Sequence, residues 1–253
     1  MKLINDDCLK VLPTLPDQSV DLILTDPPYG TTACKWDSII PLEPMWKELK
    51  RVIKDNGCTA LFGTEPFSSH LRLSNLKEFK YDWIWQKQQG TNPMASGYMP
   101  LKDYEIISIF YYKKPTYNPQ MTFGKPYSGF KSDSKKIGEV YGNVKSIHRD
   151  NPKGTRFPKT ILYFKTDRGS HPTQKPVTLL EYLIKTYTNE NDTVLDFTMG
   201  SGSTGVAAKN LNREFIGIEL DKKYFELAKS RINENNNSLQ AKTSTGFGSQ
   251  RIR

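Results

Sequence analysis

The segment that most constrains the fold of this chain is a short unit near its C-terminal end. An apolar run at Val194–Phe197 is followed by a glycine turn, a helical stretch at Thr204–Leu211 and a second apolar run at Phe215–Ile218. Two strands joined through a helix can be neighbours in a parallel sheet, because parallel strands need a long crossover connection. A further helical stretch at Lys222–Ile232 continues the rhythm. The unit therefore predicts a parallel sheet that is covered by helices.

The first half of the chain repeats this alternation of strand-like and helix-like segments. Short β-branched, aliphatic and aromatic runs predict strands, and longer runs with apolar residues at helical spacing predict helices. The predicted strands are Val20–Thr25, Thr59–Phe62, Tyr81–Gln86 and Tyr104–Tyr112, and the predicted helices are Pro44–Ile53 and Thr178–Tyr187. We therefore expect an α/β fold, with a twisted, mostly parallel sheet and helices on both faces.

The positive charge of the chain is concentrated in one segment. The net charge is +9, and residues 113–168 alone hold ten lysines and three arginines against four acidic residues, an excess of the same size. Aromatic residues are interleaved with these cations, a composition that suits a polyanion with bases to stack against. An ordinary solvated surface is the alternative. Because the segment is too long for a plain connection, we interpret residues 113–169 as an insertion with its own task.

The sequence also predicts where the protein resides. Its longest strongly apolar stretch, Ile106–Tyr112, is much shorter than the roughly 20 residues of a membrane-spanning helix. The first residues turn acidic before the apolar core of a secretory signal develops. The three cysteines, Cys8, Cys34 and Cys58, form no CxxC pair. These features predict a cytoplasmic protein with reduced thiols.

A nucleotide-like site is indicated by Asp196–Gly205. Here a carboxylate ends a strand, and Gly200, Gly202 and Gly205 match the GxGxxG pattern at the start of a helix. Glu219 ends the next strand, at a spacing that suits a carboxylate accepting both hydroxyls of a ribose. The segment is not a phosphate-binding P-loop, because that motif needs a lysine after its last glycine. The alternative is a tight strand–helix turn without a ligand.

A second cluster, Thr25–Gly30, follows the first predicted strand, at the sheet edge where ligands of open α/β sheets bind. Its two prolines lack backbone N–H groups and stiffen the turn, which leaves carbonyl oxygens free as acceptors. Asp26 adds a carboxylate acceptor, and Tyr29 adds a flat aromatic face. Two acceptors beside an aromatic ring suit a planar base that carries an exocyclic amino group. The alternative is a proline turn with a surface aspartate.

Three blocks together resemble a known family, the S-adenosylmethionine-dependent DNA amino-methyltransferases, which modify adenine N6 or cytosine N4. The resemblance rests on Asp26–Tyr29, His171–Pro176 and Asp196–Gly205, and the order of the blocks is similar to that of the β group. Asn5–Leu9 is similar to the family segment whose aspartate meets the cofactor adenine. One departure is the start of the glycine loop, which reads Asp-Phe-Thr where the family usually has Asp-Pro-Phe.

The resemblance implies a Rossmann-like methyltransferase that modifies specific sites in double-stranded DNA. It implies S-adenosyl-L-methionine as the cofactor and a target base that is flipped out of the duplex. Adenine N6 is the expected target. The alternatives are a cytosine-N4 methyltransferase and a non-enzymatic regulator that binds S-adenosylmethionine or DNA. Methyltransferases for RNA or protein glutamine are disfavoured, because they generally carry the cofactor loop before the catalytic block.

The resemblance also assigns roles to individual residues. The residues expected to be catalytic are Asp26, Pro27, Pro28 and Tyr29. The residues expected to bind the cofactor are Asp7, Cys8, His171, Thr173, Gln174, Lys175, Asp196, Phe197, Gly200, Ser201, Gly202, Ser203, Thr204 and Glu219. Within this set, Asp7 is expected to meet the adenine, Glu219 the ribose and Lys175 the methionine carboxylate. No metal is expected, because the three histidines of the chain lack ligand spacing.

The expected organisation has four parts. They are a catalytic half at residues 1–112, a target-recognition insertion at 113–169, a cofactor-binding half at 170–232 and a polar, flexible tail at 233–253. Trp36 is a candidate to close over the flipped base, with plain core packing as the alternative. The expected partner is double-stranded DNA, and no membrane is expected. The resemblance adds a homodimer and a cognate restriction endonuclease as candidate partners.

Overall fold

The computed structural model of the protein describes residues 1–30, 38–130, 148–166 and 174–243. Its strands are β1 (Lys2–Asn5), β2 (Val20–Thr25), β3 (Ile53–Gly63), β4 (Phe79–Thr91), β5 (Lys102–Phe110), β6 (Thr122–Phe123), β7 (Tyr127–Phe130), β8 (His148–Asn151), β9 (Thr155–Arg156), β10 (Ile161–Tyr163), β11 (Thr193–Asp196) and β12 (Glu214–Glu219). Its helices are α1 (Cys8–Val11), α2 (Leu42–Val52), α3 (Phe67–Ser74), α4 (Val177–Tyr187), α5 (Ser203–Asn210) and α6 (Lys222–Thr243). Within these ranges, no helix combines the length and the apolar character that crossing a bilayer requires.

Eight of these strands form one sheet, in the order β1-β12-β11-β2-β3-β5-β4-β10. Strand β5 runs antiparallel to both of its neighbours, β3 and β4, and the other neighbouring pairs are parallel. The mostly parallel α/β sheet predicted from the sequence is thereby confirmed. The predicted first strand, Val20–Thr25, has the same bounds in the structure.

The strand order reverses direction between β11 and β2. From β11 the chain passes through α5 to β12 on one side, and from β2 it passes through α2 to β3 on the other side. Because the two connections leave in opposite directions, a crevice opens at the carboxyl ends of this strand pair. Asp196 is the last residue of β11, and Asp26 directly follows β2. The fold therefore brings the two predicted functional segments to one point of the sheet edge.

Helices cover both faces of the sheet, and the middle of β2 shows why three consecutive residues there, Leu22–Leu24, are all aliphatic. Leu22 and Leu24 pack in one core cluster with Leu183 of α4, whereas Ile23 packs in a second cluster with Leu49 of α2. All five side chains are buried. Successive side chains of a strand point to opposite faces, so a strand covered on both sides needs apolar residues without alternation.

Residues Pro119–Lys159 form a second compact unit, smaller than the one that holds the sheet. Its described part contains two antiparallel ladders, β6 with β9 and β7 with β8. Its bounds are narrower than those of the predicted insertion at 113–169, since Lys113–Asn118 and the segment from Thr160 belong to the sheet unit. The role of this basic segment in target recognition stays a prediction, and residues 131–147 lie outside the described ranges.

Several elements differ from the sequence-based expectation, and three of them bear on the predicted domain bounds and helices. Strand β10 has three residues and pairs with β4, within the segment that was predicted to belong to the insertion. Helix α3 lies in a serine-containing segment for which no helix was predicted. Helix α6 continues through Thr243, beyond the predicted end at Ile232, so the first part of the predicted flexible tail is helical.

Candidate active site

One cavity of about 1370 Å³ lies at the carboxyl edge of the parallel strands. It is lined by most of the residues that the sequence assigned to catalysis or cofactor binding. These are Asp7, Cys8, Asp26, Pro27, Pro28, Tyr29, Gln174, Lys175, Asp196, Phe197, Gly200, Ser201, Ser203, Thr204 and Glu219. His171 and Thr173 lie outside the described residues, and so does Trp36. Segments that are far apart in the chain therefore share one site.

Two hydrogen bonds join the proline corner to the start of the glycine loop. The backbone N–H of Phe197 donates to Oγ1 of Thr25 at 3.2 Å, and Oγ1 of Thr198 donates to the carbonyl oxygen of Asp26 at 3.1 Å. Both are buried or half-buried. The two functional corners thus lie next to each other at the wall of one cavity.

The carboxylate of Asp26 is held from two sides at the wall of this cavity. The hydroxyl of Tyr29 donates a hydrogen bond to Oδ1, and the ammonium group of Lys175 pairs with Oδ2. The Tyr29 ring packs against Phe67, with ring centroids 5.2 Å apart and planes tilted by 36°. Burial raises the pKa of Asp26 above its ordinary value, and the neighbouring ammonium opposes that shift.

The carboxylate of Glu105, on β5, extends this pair into a chain of alternating charges. Nζ of Lys175 lies 3.3 Å from Oε2 of Glu105, and Nζ of Lys87 lies 2.6 Å from Oε1. Glu105 was not predicted as a site residue. A signal existed, because Glu105 is the one acidic residue inside the apolar run Tyr104–Tyr112.

The glycine turn is shaped by backbone angles and by one carboxylate. Gly200 and Gly202 have positive φ angles of 49° and 78°, which residues with a Cβ rarely adopt. Oε2 of Glu219 accepts the N–H of Gly200 at 2.8 Å, and Oε1 accepts the N–H of Asp221 at 2.8 Å. Burial raises the pKa of Glu219. This side chain therefore fixes the turn before any ligand binds.

The three glycines of this loop differ in what surrounds them: one borders open space, and the other two pack against α6. A Cβ built on Gly200 would meet no atom within 4 Å, so the turn is open toward the cavity. A Cβ on Gly202 would come within 2.8 Å of the Ala228 side chain, and one on Gly205 would come within 2.5 Å of Ile232. Gly202 does not line the cavity but packs α5 closely against α6.

Asp196 and Cys8 line the cavity as buried groups. The Oδ1 atom of Asp196 accepts the N–H of Thr198 at 3.2 Å, and burial is the main cause that raises its pKa to about 7. Burial also raises the pKa of the Cys8 thiol to about 12, so this cysteine is not a nucleophile near neutral pH. Asp7 caps α1, because its carboxylate accepts the N–H of Leu9 at 2.9 Å.

The DNA methylase family N6_N4_Mtase matches residues 20–230 of the chain. The chain belongs to this family of S-adenosylmethionine-dependent DNA amino-methyltransferases. The resemblance inferred from the three sequence blocks is thereby confirmed. Among the residues that the structure describes, no group of His, Cys, Asp and Glu side chains could hold a metal ion.

Named relatives support the same assignment of this methyltransferase. It is 31% identical to the type II methyltransferase M.HpaI of Haemophilus parainfluenzae, covering 95% of this chain and 76% of that protein. It is 30% identical to the type II methyltransferase M2.LlaDCHI of Lactococcus lactis subsp. cremoris, covering 92% of this chain and 89% of that protein. Type II methyltransferases are therefore relatives over nearly the whole length of the chain.

Solved structures share the fold of this methyltransferase. The M1.HpyAVI complex with S-adenosylmethionine has a TM-score of 0.62 and 28% identity, and covers 91% of this chain and 98% of that chain. The cytosine-N4-specific PvuII methyltransferase has a TM-score of 0.66 and 15% identity, and covers 94% of this chain and 92% of that chain. At the lower identity, the match shows a common fold alone.

Proposed function

We propose that this methyltransferase transfers a methyl group to N6 of adenine at specific sites in double-stranded DNA. The observation that carries the proposal is the position of the Asp26 carboxylate. It lies at the wall of the cavity next to Tyr29, and the glycine turn and Glu219 line the same cavity. One acceptor for an amino group and one carboxylate suited to a ribose thus share a single cleft.

The cavity fits S-adenosylmethionine, which when bound supplies an electrophilic methyl group on a sulfonium sulfur. Its volume of about 1370 Å³ exceeds the roughly 300–1,000 Å³ of an ordinary ligand site, which leaves room for a flipped base as well. Glu219 would hold the ribose hydroxyls, and Asp7 would accept from the adenine amine. The open side of the turn at Gly200 lets backbone approach the middle of the cofactor. Gln174 would meet the methionine end.

The residues of the catalytic corner would make the target amine more reactive. The lone pair of an exocyclic amine is delocalised into the base, so the amine is a poor nucleophile. Hydrogen bonds from the amine to the Asp26 carboxylate and the Pro27 carbonyl would favour a pyramidal nitrogen with an available lone pair. The same carboxylate stabilises the positive charge that develops on this nitrogen. Orientation within the cleft supplies the rest of the effect.

Adenine is proposed over cytosine because aspartate at the first catalytic position is commoner in the adenine-modifying members of the family. Incubation with unmethylated duplex DNA and tritium-labelled S-adenosylmethionine tests the proposal. Label is expected in DNA, and digestion to nucleosides is expected to release N6-methyl-2′-deoxyadenosine. N4-methyl-2′-deoxycytidine would favour the first alternative, and tight DNA binding without label would favour a regulator. Label in RNA or protein alone would contradict the proposal.

Charge reversal in the second compact unit is expected to weaken DNA binding. Lys125, Lys153 and Lys159 are exposed, and replacing all three by glutamate removes up to three phosphate contacts. We expect a lower affinity for duplex DNA and a salt slope that is shallower by about one per lost contact. Fluorescence anisotropy at several salt concentrations measures both. The affinity for S-adenosylmethionine is expected to stay unchanged.

A matched control makes the same change of charge elsewhere. Lys47, Lys77 and Lys229 are exposed lysines of the sheet unit, outside the basic segment. Their triple glutamate variant is expected to bind DNA with nearly the wild-type salt slope. An equal loss in both variants would show that net charge, and not this segment, determines DNA binding.

A further inference from the structure

Four partly buried ionisable side chains of alternating charge form a network that ends at the catalytic corner. In order, they are Lys87 on β4, Glu105 on β5, Lys175 before α4 and Asp26 after β2. The first three side chains are 14%, 15% and 10% exposed, whereas that of Asp26 is 30% exposed and faces the cavity. The network therefore presents one carboxylate to the site and keeps its other members covered.

The Lys175 ammonium is held from several sides, although lysine has a long and flexible stem. It pairs with the carboxylates of Asp26 and Glu105, and it lies 5.2 Å from the centroid of the Phe62 ring. Its hydrogen bond goes to Oδ2 of Asp26, whereas Oε2 of Glu105, at 3.3 Å, is an ion-pair partner that accepts no hydrogen bond from the described residues. Other side chains of the protein therefore hold the Lys175 ammonium group. The family resemblance had implied a different partner, the carboxylate of the cofactor.

Glu105 lies at a fixed place because it belongs to the sheet. Its backbone pairs with Trp85 of β4, and Lys87 stands two residues further along that strand. Diagonal neighbours on adjacent strands are within reach of long side chains, which accounts for the contact with Lys87. Removing one member of a buried ion pair leaves an unpaired charge, so each member keeps the next in its ionised form.

We propose that Lys175 is a positioning residue for the catalytic carboxylate, and that Glu105 and Lys87 hold Lys175 in place for that task. Lys175 keeps Asp26 ionised and turned so that its free lone pairs meet the target amine. The inference rests on the proposed methyl transfer, because it assigns a function to the surroundings of the same carboxylate. It replaces the expected contact between Lys175 and the methionine carboxylate.

The proposal predicts opposite pH effects for two variants. Among the described residues, the ionisable groups that face Asp26 are Tyr29 of the same corner, Lys175, Glu105 and Asp196 of β11. Lys175→Met removes a positive charge, so the pKa of Asp26 rises and the acid limb of the rate profile moves up by about one to three pH units. Glu105→Gln removes a negative charge, so the pKa falls and the limb moves to lower pH.

Single-turnover methylation of a duplex substrate between pH 5 and 9 measures the position of the acid limb. Product release does not mask the chemical step in such an experiment. At pH 8 both variants are expected to be about ten- to a hundredfold slower than wild type, since the carboxylate is no longer held in place. Their affinity for S-adenosylmethionine, measured by calorimetry, is expected to stay within about threefold. Lys175→Arg keeps the charge and is expected to restore the acid limb and part of the rate.

The matched control is Lys54→Met. Lys54 pairs with Asp21 at 2.7 Å. Asp21 lies near the start of β2, and Asp26 follows the end of the same strand. This variant loses a lysine of the same kind outside the cavity, and it is expected to keep the wild-type rate and pH profile. An acid limb that stays in place in Lys175→Met would overturn the proposal. So would a variant whose sole defect is weak binding of S-adenosylmethionine.

A measurement without turnover separates this inference from the proposed function. The carboxyl carbon of Asp26 can be titrated by NMR in protein labelled at aspartate, with Asp26→Asn identifying its signal. We expect its titration to shift upward in Lys175→Met whether or not any DNA is methylated. Wild-type protein that labels no DNA would refute the proposed function alone. An unchanged titration would refute the role of Lys175 alone.

Discussion

Asp26→Ala is expected to lose methyl transfer by at least about a hundred- to a thousandfold, the loss typical of removing one preorganised electrostatic group from an active site. The physical reason is that the target amine loses the acceptor that orients its lone pair and stabilises its developing charge. Binding of S-adenosylmethionine is expected to stay largely intact, because Glu219 and the glycine turn hold no hydrogen bond to this carboxylate. Initial rates with tritiated cofactor and calorimetric titration measure the two quantities.

The fold of the Asp26→Ala variant is expected to survive. The ammonium of Lys175 keeps Glu105 as a partner at 3.3 Å, so the substitution does not leave this cation without an anionic partner. Asp26→Asn, which keeps the shape but not the charge, is expected to be similarly inactive. The control is Asp17→Ala, which removes a carboxylate that is 73% exposed. Near-normal rates in Asp26→Ala would contradict the assigned catalytic role.

Glu219→Ala is expected to weaken the binding of S-adenosylmethionine by about a hundredfold, since hydrogen bonds to a charged group each contribute about 1.5–3 kcal/mol. The variant loses the proposed acceptor for the ribose. It also frees the N–H groups of Gly200 and Asp221, which now fix the turn. The rate at saturating cofactor is expected to stay close to wild type, because the lost contacts act on binding.

Two comparisons sharpen this test. Glu219→Gln keeps the size of the side chain and one acceptor oxygen, so an intermediate affinity is expected. Glu226→Ala changes an exposed carboxylate of α6 and is expected to bind like wild type. If Glu219→Ala bound the cofactor normally and instead lost its maximal rate, the assignment of Glu219 to the ribose would be wrong.

The parts of the fold that the sequence predicted are those with strong local signals. Strand β2 contains three consecutive aliphatic residues, Leu22–Leu24, and the glycine turn places a helix directly after β11. Helix α3 and strand β10 were not predicted, because their local sequence signals are weak. Helix α3 begins with Phe-Ser-Ser-His, and β10 has only three residues, of which one side chain is buried. Their structure depends on partners elsewhere in the sheet unit.

The site shows the same division. Asp26–Tyr29 and Asp196–Gly205 were predictable because each motif is contiguous and the order of parallel strands brings their ends together. The pairing of Lys175 with Glu105 could not be predicted. It depends on β5, which lies between β3 and β4 in the sheet and runs antiparallel to both. Sequence spacing contains no information on that contact. The sequence-based role of Lys175 at the methionine carboxylate was therefore predicted without reference to Glu105.

The reversed direction of β5 also determines where the protein can vary. Because β4 and β5 run antiparallel, residues 92–101 connect them as a hairpin at the rim of the cavity instead of crossing over the sheet. Gln89 and Thr91, which precede this hairpin, already line the cavity. None of the hairpin's residues belongs to either of the two core clusters. We expect this connection to tolerate insertions that reshape the entrance for the substrate while the catalytic machinery stays intact.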